Sequence, residues 1–389
     1  MKVVELTALH VAIPLKRAIR HASHTRTSTD NLIVRCVLAD GTEGYGEGVP
    51  RDYVTGETLD SSIHLLKQSK LPSQLENCQD FTQVVHLAER LKLAGVPEDE
   101  RGCNGNAARC AVELALLDAF GRRFGEPLWS VTRLLAPELY QMLAEVRYSG
   151  VITSARGLKA RLVAWGMRLY GFQQIKVKVG INGQDDIKRL KTIRGAVGDQ
   201  MDLRVDANEA WTLDDAIEQV RALESFNITS VEQPMPHAEI KSFGELRRQA
   251  KTPIMLDESL CSLHDAELAV EHKACDLFNL RLSKCGGFIP SLRLMQFAGQ
   301  HNVGCQLGCQ VGETALLSAA GRHFATSVRG LRYLEGSYDR HLVREALGLE
   351  DVTFQRGGLA RALVGPGLGV TVNSDALERV TVRKEALLG

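Results

Sequence analysis

Lys176 and Lys178 stand two apart in the run QQIKVKVG (173–180), and acids follow them at regular intervals. Asp206 lies in VDANEAW, Glu232 in VEQP and Asp257 in LDES, with Lys284 beyond them in LSKCGG. The lysines alternate with Ile175, Val177 and Val179 as on a β-strand, so the two amines share a face about 7 Å apart. Repulsion between like charges lowers a lysine's pKa, and burial lowers it further, which makes the amine a base near neutral pH. Three carboxylates brought together repel unless a cation sits among them. All-oxygen ligation suits a hard ion of octahedral preference, Mg²⁺ first and Mn²⁺ second. Such an ion beside amine bases suits carbon-acid chemistry. Removing the proton next to a carboxylate puts two negative charges on one small group, and a divalent cation on both oxygens stabilises the enediolate as it forms.

The elements needed to gather these residues are legible from the same spacing. The steps are 28 (178 to 206), 26 (206 to 232), 25 (232 to 257) and 27 (257 to 284). Each is the length of one β-strand and its return helix, so each group falls at the same end of a strand. Eight β-type runs follow one another from residue 146: VRYSGVI, QQIKVKVG, DLRVDANEAW, ITSVEQP, PIMLDES, DLFNLRLSKCGG, NVGCQLG and LRYLEGS. Helical stretches separate most of them, which predicts parallel βαβ units closing into a (β/α)7-8 TIM-type barrel. The C-terminal rim of such a barrel is where its enzymes keep their chemistry. A doubly wound open sheet is the rival, but no G-x-G-x-x-G turn follows the first strand.

The preceding residues differ in character. Two strand-like runs, VVELTALHVAI and NLIVRCVLA, and a D-G turn predict an antiparallel meander, followed by helices of which NAARCAVELALLDAFGRRF is the clearest. Its Glu113 and Asp118 read as a polar face or as contacts between helices. Two polar loops, 17–30 with Arg20 and Arg26 and 49–58 with Tyr53, are expected to reach over an anionic ligand. The Pro- and Gly-punctuated tail from residue 352 needs another sheet to pair with and is expected to return to the N-terminal part. The predicted organisation is an α+β capping domain (1–130), a barrel (131–351) and a returning C-terminal segment (352–389).

In 389 residues, 47 basic side chains balance 47 acidic ones, which gives no electrostatic case for nucleic acid or an anionic membrane. No run approaches a membrane span and the first residues lack a signal peptide's apolar core. Nine cysteines, an odd number, do not read as a disulfide framework and fit a reducing cytoplasm. Cys305 and Cys309, four apart without a second pair, read as buried thiols. A symmetric homo-oligomer is the default expectation.

KVKVG, DANEAW with Asn208, VEQP, LDES and LSKCGG, in that order, resemble the enolase superfamily, and the K-x-K pair resembles its muconate-lactonizing subgroup. The resemblance covers nearly the whole chain and implies that Asp206, Glu232 and Asp257 bind Mg²⁺. It implies that Lys178 and Lys284 face each other across a small carboxylate substrate as acid and base, with Lys176 tuning Lys178. Racemisation, epimerisation or cycloisomerisation of an N-acyl amino acid, dipeptide or dicarboxylate is the implied activity, with syn-dehydration as the alternative. Strand seven ends without a histidine base, and strand eight, with Glu335, lacks the Asp-x-Asp that dipeptide epimerases use for the substrate ammonium. Glu335 and Glu313 read as groups hydrogen-bonded to a lysine. A Schiff-base barrel enzyme using Lys178 or Lys284 as nucleophile is the rival from another class.

Overall fold

The computed structural model describes residues 1–20 and 25–389; the side chains of 17–20, 25 and 26 also lie outside the description. β1 (Val3–Arg20), β2 (Thr25–Leu38) and β3 (Glu43–Gly48) form an antiparallel sheet. The loop expected over 17–30 is shorter than read. Pairing of Ile19 with Arg26 and Arg20 with Thr25 carries both strands into it, because threonines at 25, 27 and 29 suit an extended strand.

The helix Asn106–Phe124 lies on this sheet and is buried along most of its length. It can approach so closely because β3 presents Gly44, Gly46 and Gly48. A Cβ on Gly46 would stand 2.1 Å from Ala111 O. Glu113 and Asp118 are wholly buried, not a solvated face. Glu113 pairs with Arg109 at 2.8 Å and accepts from Ile289 N. Asp118 accepts from Tyr45 N and Leu368 N, at 2.9 and 2.8 Å.

The next strands are β4 (Glu145–Arg147), β5 (Gly150–Ile152), β6 (Gln174–Lys178), β7 (Asp202–Asp206) and β8 (Ile228–Glu232). They continue as β9 (Ile254–Leu256), β10 (Leu277–Leu280), β11 (Gly304–Leu307) and β12 (Leu331–Leu334). β5 to β12 form one parallel eight-stranded sheet in sequence order, with return helices between strands. Ser149 N donates to Leu334 O at 2.8 Å and joins the last strand to the first. This is the (β/α) barrel with an α+β cap that the sequence predicts. β13 (Leu359–Arg361) pairs with β4, and β14 (Thr381–Leu388) lies antiparallel beside β1, returning the tail to the N-terminal sheet.

The cap meets the barrel through Glu47 of β3. Its carboxylate accepts from Asn31 Nδ2 (2.7 Å), Thr314 N (2.9 Å), Thr314 Oγ1 (2.7 Å) and Leu317 N (2.9 Å). It thereby takes up orphan donors at the start of the helix Ala315–Ser327.

Candidate active site

Strand register brings the acids together. Lys178 lies opposite Asp206, Asp206 opposite Glu232, and Glu232 opposite Met255, two residues before Asp257. Side chains two apart on a strand share a face, so the barrel interior receives Lys176 and Lys178, Arg204 and Asp206, and Met255 and Asp257. Asp206, Glu232 and Asp257 are at most 1% exposed.

Lys176 Nζ lies 3.3 Å from Asp206 Oδ2, 3.1 Å from Glu232 Oε2 and 2.8 Å from Glu335 Oε2. Burial opposes its charge, but Glu232, Glu335 and Asp206 outweigh burial and hold its pKa well above the usual lysine value. The expectation that repulsion and burial lower the pKa of Lys176 is therefore reversed: three carboxylates act on it more strongly than one neighbouring lysine. Glu335, buried, would be raised by burial alone; Lys176 and Arg204 pull it down to about 2. Its other oxygen accepts from Arg204 Nη2 at 2.5 Å.

Lys178 is the open amine of the pair, with a quarter of its side chain exposed (25%). Its Nζ donates to Asn208 Oδ1 at 2.6 Å and stands 3.9 Å from Asp206 Oδ2. Asn208, left-handed at φ 44°, passes the chain of bonds on by donating to Glu258 Oε1 at 3.2 Å. Asn is one of the few residues that enters this region at small cost.

Lys284 follows β10. It is fully buried, and its Nζ donates to Asp257 O (2.6 Å), Asp257 Oδ1 (2.8 Å) and Asn279 O (2.8 Å). An ammonium has three protons, and all three are engaged. Burial opposes the charge but Asp257 outweighs it, and the pKa is raised. Lys284 thus lies directly against Asp257. A second cation beside Asp257 is Arg281, which donates to Asp257 Oδ2 and lies 3.7 Å from Glu232 Oε1. Burial would raise Asp257, but Arg281 and then Lys284 pull it well below the ordinary carboxylate range.

Arg281, Arg204 and Glu258 were not singled out in the sequence. Arg204 was findable, because it sits two before Asp206 on the same face. Glu313 makes no bond to a lysine among the described residues: its Oε1 accepts from Gln310 N at 2.5 Å, and burial raises it to about 8. Tyr53 lines a cleft of about 410 Å³ with Asp99, Arg101 and His237. Arg20 and Arg26 lie outside the residues whose side chains are described. Cys305 is buried as expected, whereas Cys309 is only partly so.

Among the described residues no three His, Cys, Asp or Glu side chains stand in a ready ligand arrangement. The three acids are instead each turned toward a cation: Asp206 and Glu232 toward Lys176, Asp257 toward Arg281 and Lys284. Their chemistry nevertheless fits a hard divalent ion, since they are three oxygen-only ligands from consecutive strands with almost no exposure to water. No described helix is long and apolar enough to cross a membrane.

The capped barrel, with acids on three adjacent strands and amines beside them at one rim, defines a barrel enzyme built around a shielded charge cluster. The chain belongs to the enolase superfamily. Residues 3–132 match the mandelate racemase / muconate lactonizing enzyme N-terminal domain, and residues 159–376 match the enolase C-terminal domain-like family. It is 29% identical over 384 residues to the N-succinyl-L-Arg/Lys racemase of Bacillus cereus, covering 97% of this chain and 98% of that protein. The crystal structure of N-succinyl Arg/Lys racemase from that species superposes with a TM-score of 0.86 at 27% identity, over 99% and 100% of the two chains. The hydrophobic dipeptide epimerase of Enterococcus faecalis is 30% identical over 333 residues, 85% of this chain and 89% of that one. A dipeptide epimerase from Cytophaga hutchinsonii, crystallised with Mg and D-Ala-L-Val, superposes with a TM-score of 0.84 at 26% identity over the full length of both chains. Racemases and epimerases are isomerases, and that is the enzyme class of this chain.

Proposed function

We propose that this protein is an Mg²⁺-dependent isomerase that takes the proton from the carbon next to a carboxylate and returns it, as racemases and epimerases do. The observation that bears most weight is the placement of Asp206, Glu232 and Asp257 on three consecutive strands beside Lys178, the solvent-reaching amine of the K-x-K pair. These three acids would hold the ion. Bound there, it supplies positive charge to the substrate carboxylate and so makes the α proton more acidic. Lys178 is the base, directed by Asn208. Lys284, from the unit of β10 across the barrel, is the partner that gives the proton back, Lys176 tunes Lys178, and Glu335 balances Lys176 and Arg204. A Schiff-base enzyme with Lys178 or Lys284 as nucleophile would leave the three converging acids without a role. Mn²⁺ is expected to replace Mg²⁺. The working location is the cytoplasm, and the working assembly a homo-oligomer.

At the end of β12, Glu335 spends one carboxylate oxygen on Lys176 and the other on Arg204, and Ser337 Oγ accepts from Arg322 at 2.8 Å. Neither Glu335 nor Ser337 therefore has an oxygen to spare for a free α-ammonium, whereas Asp339, four residues past Glu335, is buried with both oxygens lacking a hydrogen-bond partner among the described residues. The similarity to the N-succinyl-L-Arg/Lys racemase over nearly the whole chain puts N-acyl amino acids first among the candidate substrates. In D₂O with Mg²⁺ and a panel of N-succinyl amino acids and dipeptides, we expect α-deuterium in at least one N-succinyl compound. EDTA and Asp206→Asn should each abolish it. Exchange that persists after chelation excludes the metal-assisted reading.

A further inference from the structure

Two thiols meet at the seam between cap and barrel. Cys103 belongs to the cap stretch just before the helix Asn106–Phe124, and Cys261 lies in the turn after β9, four residues past Asp257. Their side chains hydrogen-bond to each other, and with Val54 and Tyr53 they form a small apolar cluster apart from the main core. The stretches that carry them are pinned in register. Arg101 donates to Asp265 Oδ2 at 2.7 Å and to Glu258 O at 2.8 Å, and Asn106 Nδ2 donates to Cys261 O at 2.7 Å. Cys103 lines the cleft of about 410 Å³ beside Tyr53, whereas Cys261 is fully enclosed. Both thiols also support the loop 49–58. Cys103 Sγ has Thr55 O as an acceptor at 3.9 Å, and Cys261 Sγ has Val54 O at 3.9 Å and Glu258 O at 3.7 Å.

We propose that Cys103 and Cys261 form a redox switch, closed by a peroxide into a reversible disulfide that ties cap to barrel, loosens the loop 49–58 and slows the enzyme. Disulfides in a reducing compartment are characteristically transient and redox-sensing. The Cys103 sulfur, on the cleft side, attacks one peroxide oxygen. The O–O bond breaks, the thiol proton leaves with the departing hydroxide as water, and a sulfenic acid remains. The Cys261 sulfur displaces its hydroxyl, which takes the second thiol proton and leaves as water, and the S–S bond forms. The thiol pair loses two electrons, and one peroxide is reduced to two waters. A disulfide carries no proton, so the carbonyls of Val54 and Thr55 both lose their sulfur donors.

The test treats the full chain with hydrogen peroxide and maps its unreduced peptides by mass spectrometry. A cross-link between the peptides carrying Cys103 and Cys261 is expected, reversed by dithiothreitol and absent from Cys103→Ser and Cys261→Ser, either of which serves if the other fails to fold. Oxidation should speed amide deuteration of peptides spanning 50–56 at least about threefold, the scale of one weak hydrogen bond lost. The activity arm rests on the function proposed above. Deuterium exchange into the substrate should fall by about the same factor in the oxidised wild type, recover with dithiothreitol, and resist peroxide in Cys103→Ser. Absence of the cross-link overturns the proposal, as does a cross-link that leaves both uptake across 50–56 and substrate exchange unchanged. An equal loss of exchange in Cys103→Ser assigns the effect to other thiols and also overturns it. If the cross-link forms and uptake rises while no acid exchanges even before oxidation, the thiol pair stands and the isomerase reading alone falls.

Discussion

Glu335 is joined to two cations in a dry interior, and for Arg204 it is the one ion-pair partner among the described residues. Lys176 and Arg204 are 4% and 0% exposed, and each bonds one of its oxygens. Removing one partner of a buried ion pair leaves the other charge stranded, at a cost of about 3–5 kcal/mol. Glu335→Gln is therefore expected to lower stability by about that amount in urea unfolding, even if the amide keeps one hydrogen bond. A change below about 1 kcal/mol would mean that water reaches this pair. At this scale the sequence was legible where residue type and strand parity agree, as for Lys176, Lys178, Asp206, Glu232 and Asp257. At Lys284 it was legible only in part. The strand ends at Leu280 and the chain turns, so a step of 27 residues tells which unit the lysine belongs to but not which way it points.

The cap's long helix, Asn106–Phe124, begins at Gly105, which offers no side-chain cap. Glu57 serves from outside: its oxygens accept from Ala107 N at 3.1 Å and from Thr55 Oγ1 at 2.7 Å. Burial raises this carboxyl to about 7 against these bonds. A carboxyl whose folded pKa exceeds its unfolded one favours folding fully below the unfolded value, about 4.3. That contribution fades as pH climbs toward 7. Urea midpoints should thus fall between about pH 4.5 and 7 in the wild type, and less steeply in Glu57→Gln. Equal slopes would place the pH dependence elsewhere. The helix itself was readable from its apolar spacing. Its burial on nearly all sides was not, because periodicity does not reveal that a glycine-lined strand lies beneath it.

The whole molecule is two layered bodies tied together by buried acids. Glu47 reaches from the cap sheet to a barrel helix, Glu113 from the cap helix to the segment after β10, and Asp118 to the returning tail. Parallel strands buried on both sides read as short apolar runs with polar ends, which is why the barrel was predictable from one sequence. The ties between bodies were not predictable, since a buried glutamate and a solvated one are the same letter. What separates them is the set of backbone donors that tertiary contact supplies.

The junction of β5 and β12 differs from the others in the ring. β6 and β7 match over five residue pairs. At the junction, among the described residues, the backbone link is Ser149 N to Leu334 O, helped by Tyr338 OH donating to Ser149 O at 2.8 Å. A hoop riveted at one point springs open there first. Amide deuteration should reach peptides spanning 148–152 and 331–335 well before those spanning 174–178 and 202–206. Uniform uptake would mean that the hoop has no weak rivet. Glu335 sits directly beside that point, so the same opening would wet the carboxylate that keeps Lys176 in place and leave the far wall of the rim dry.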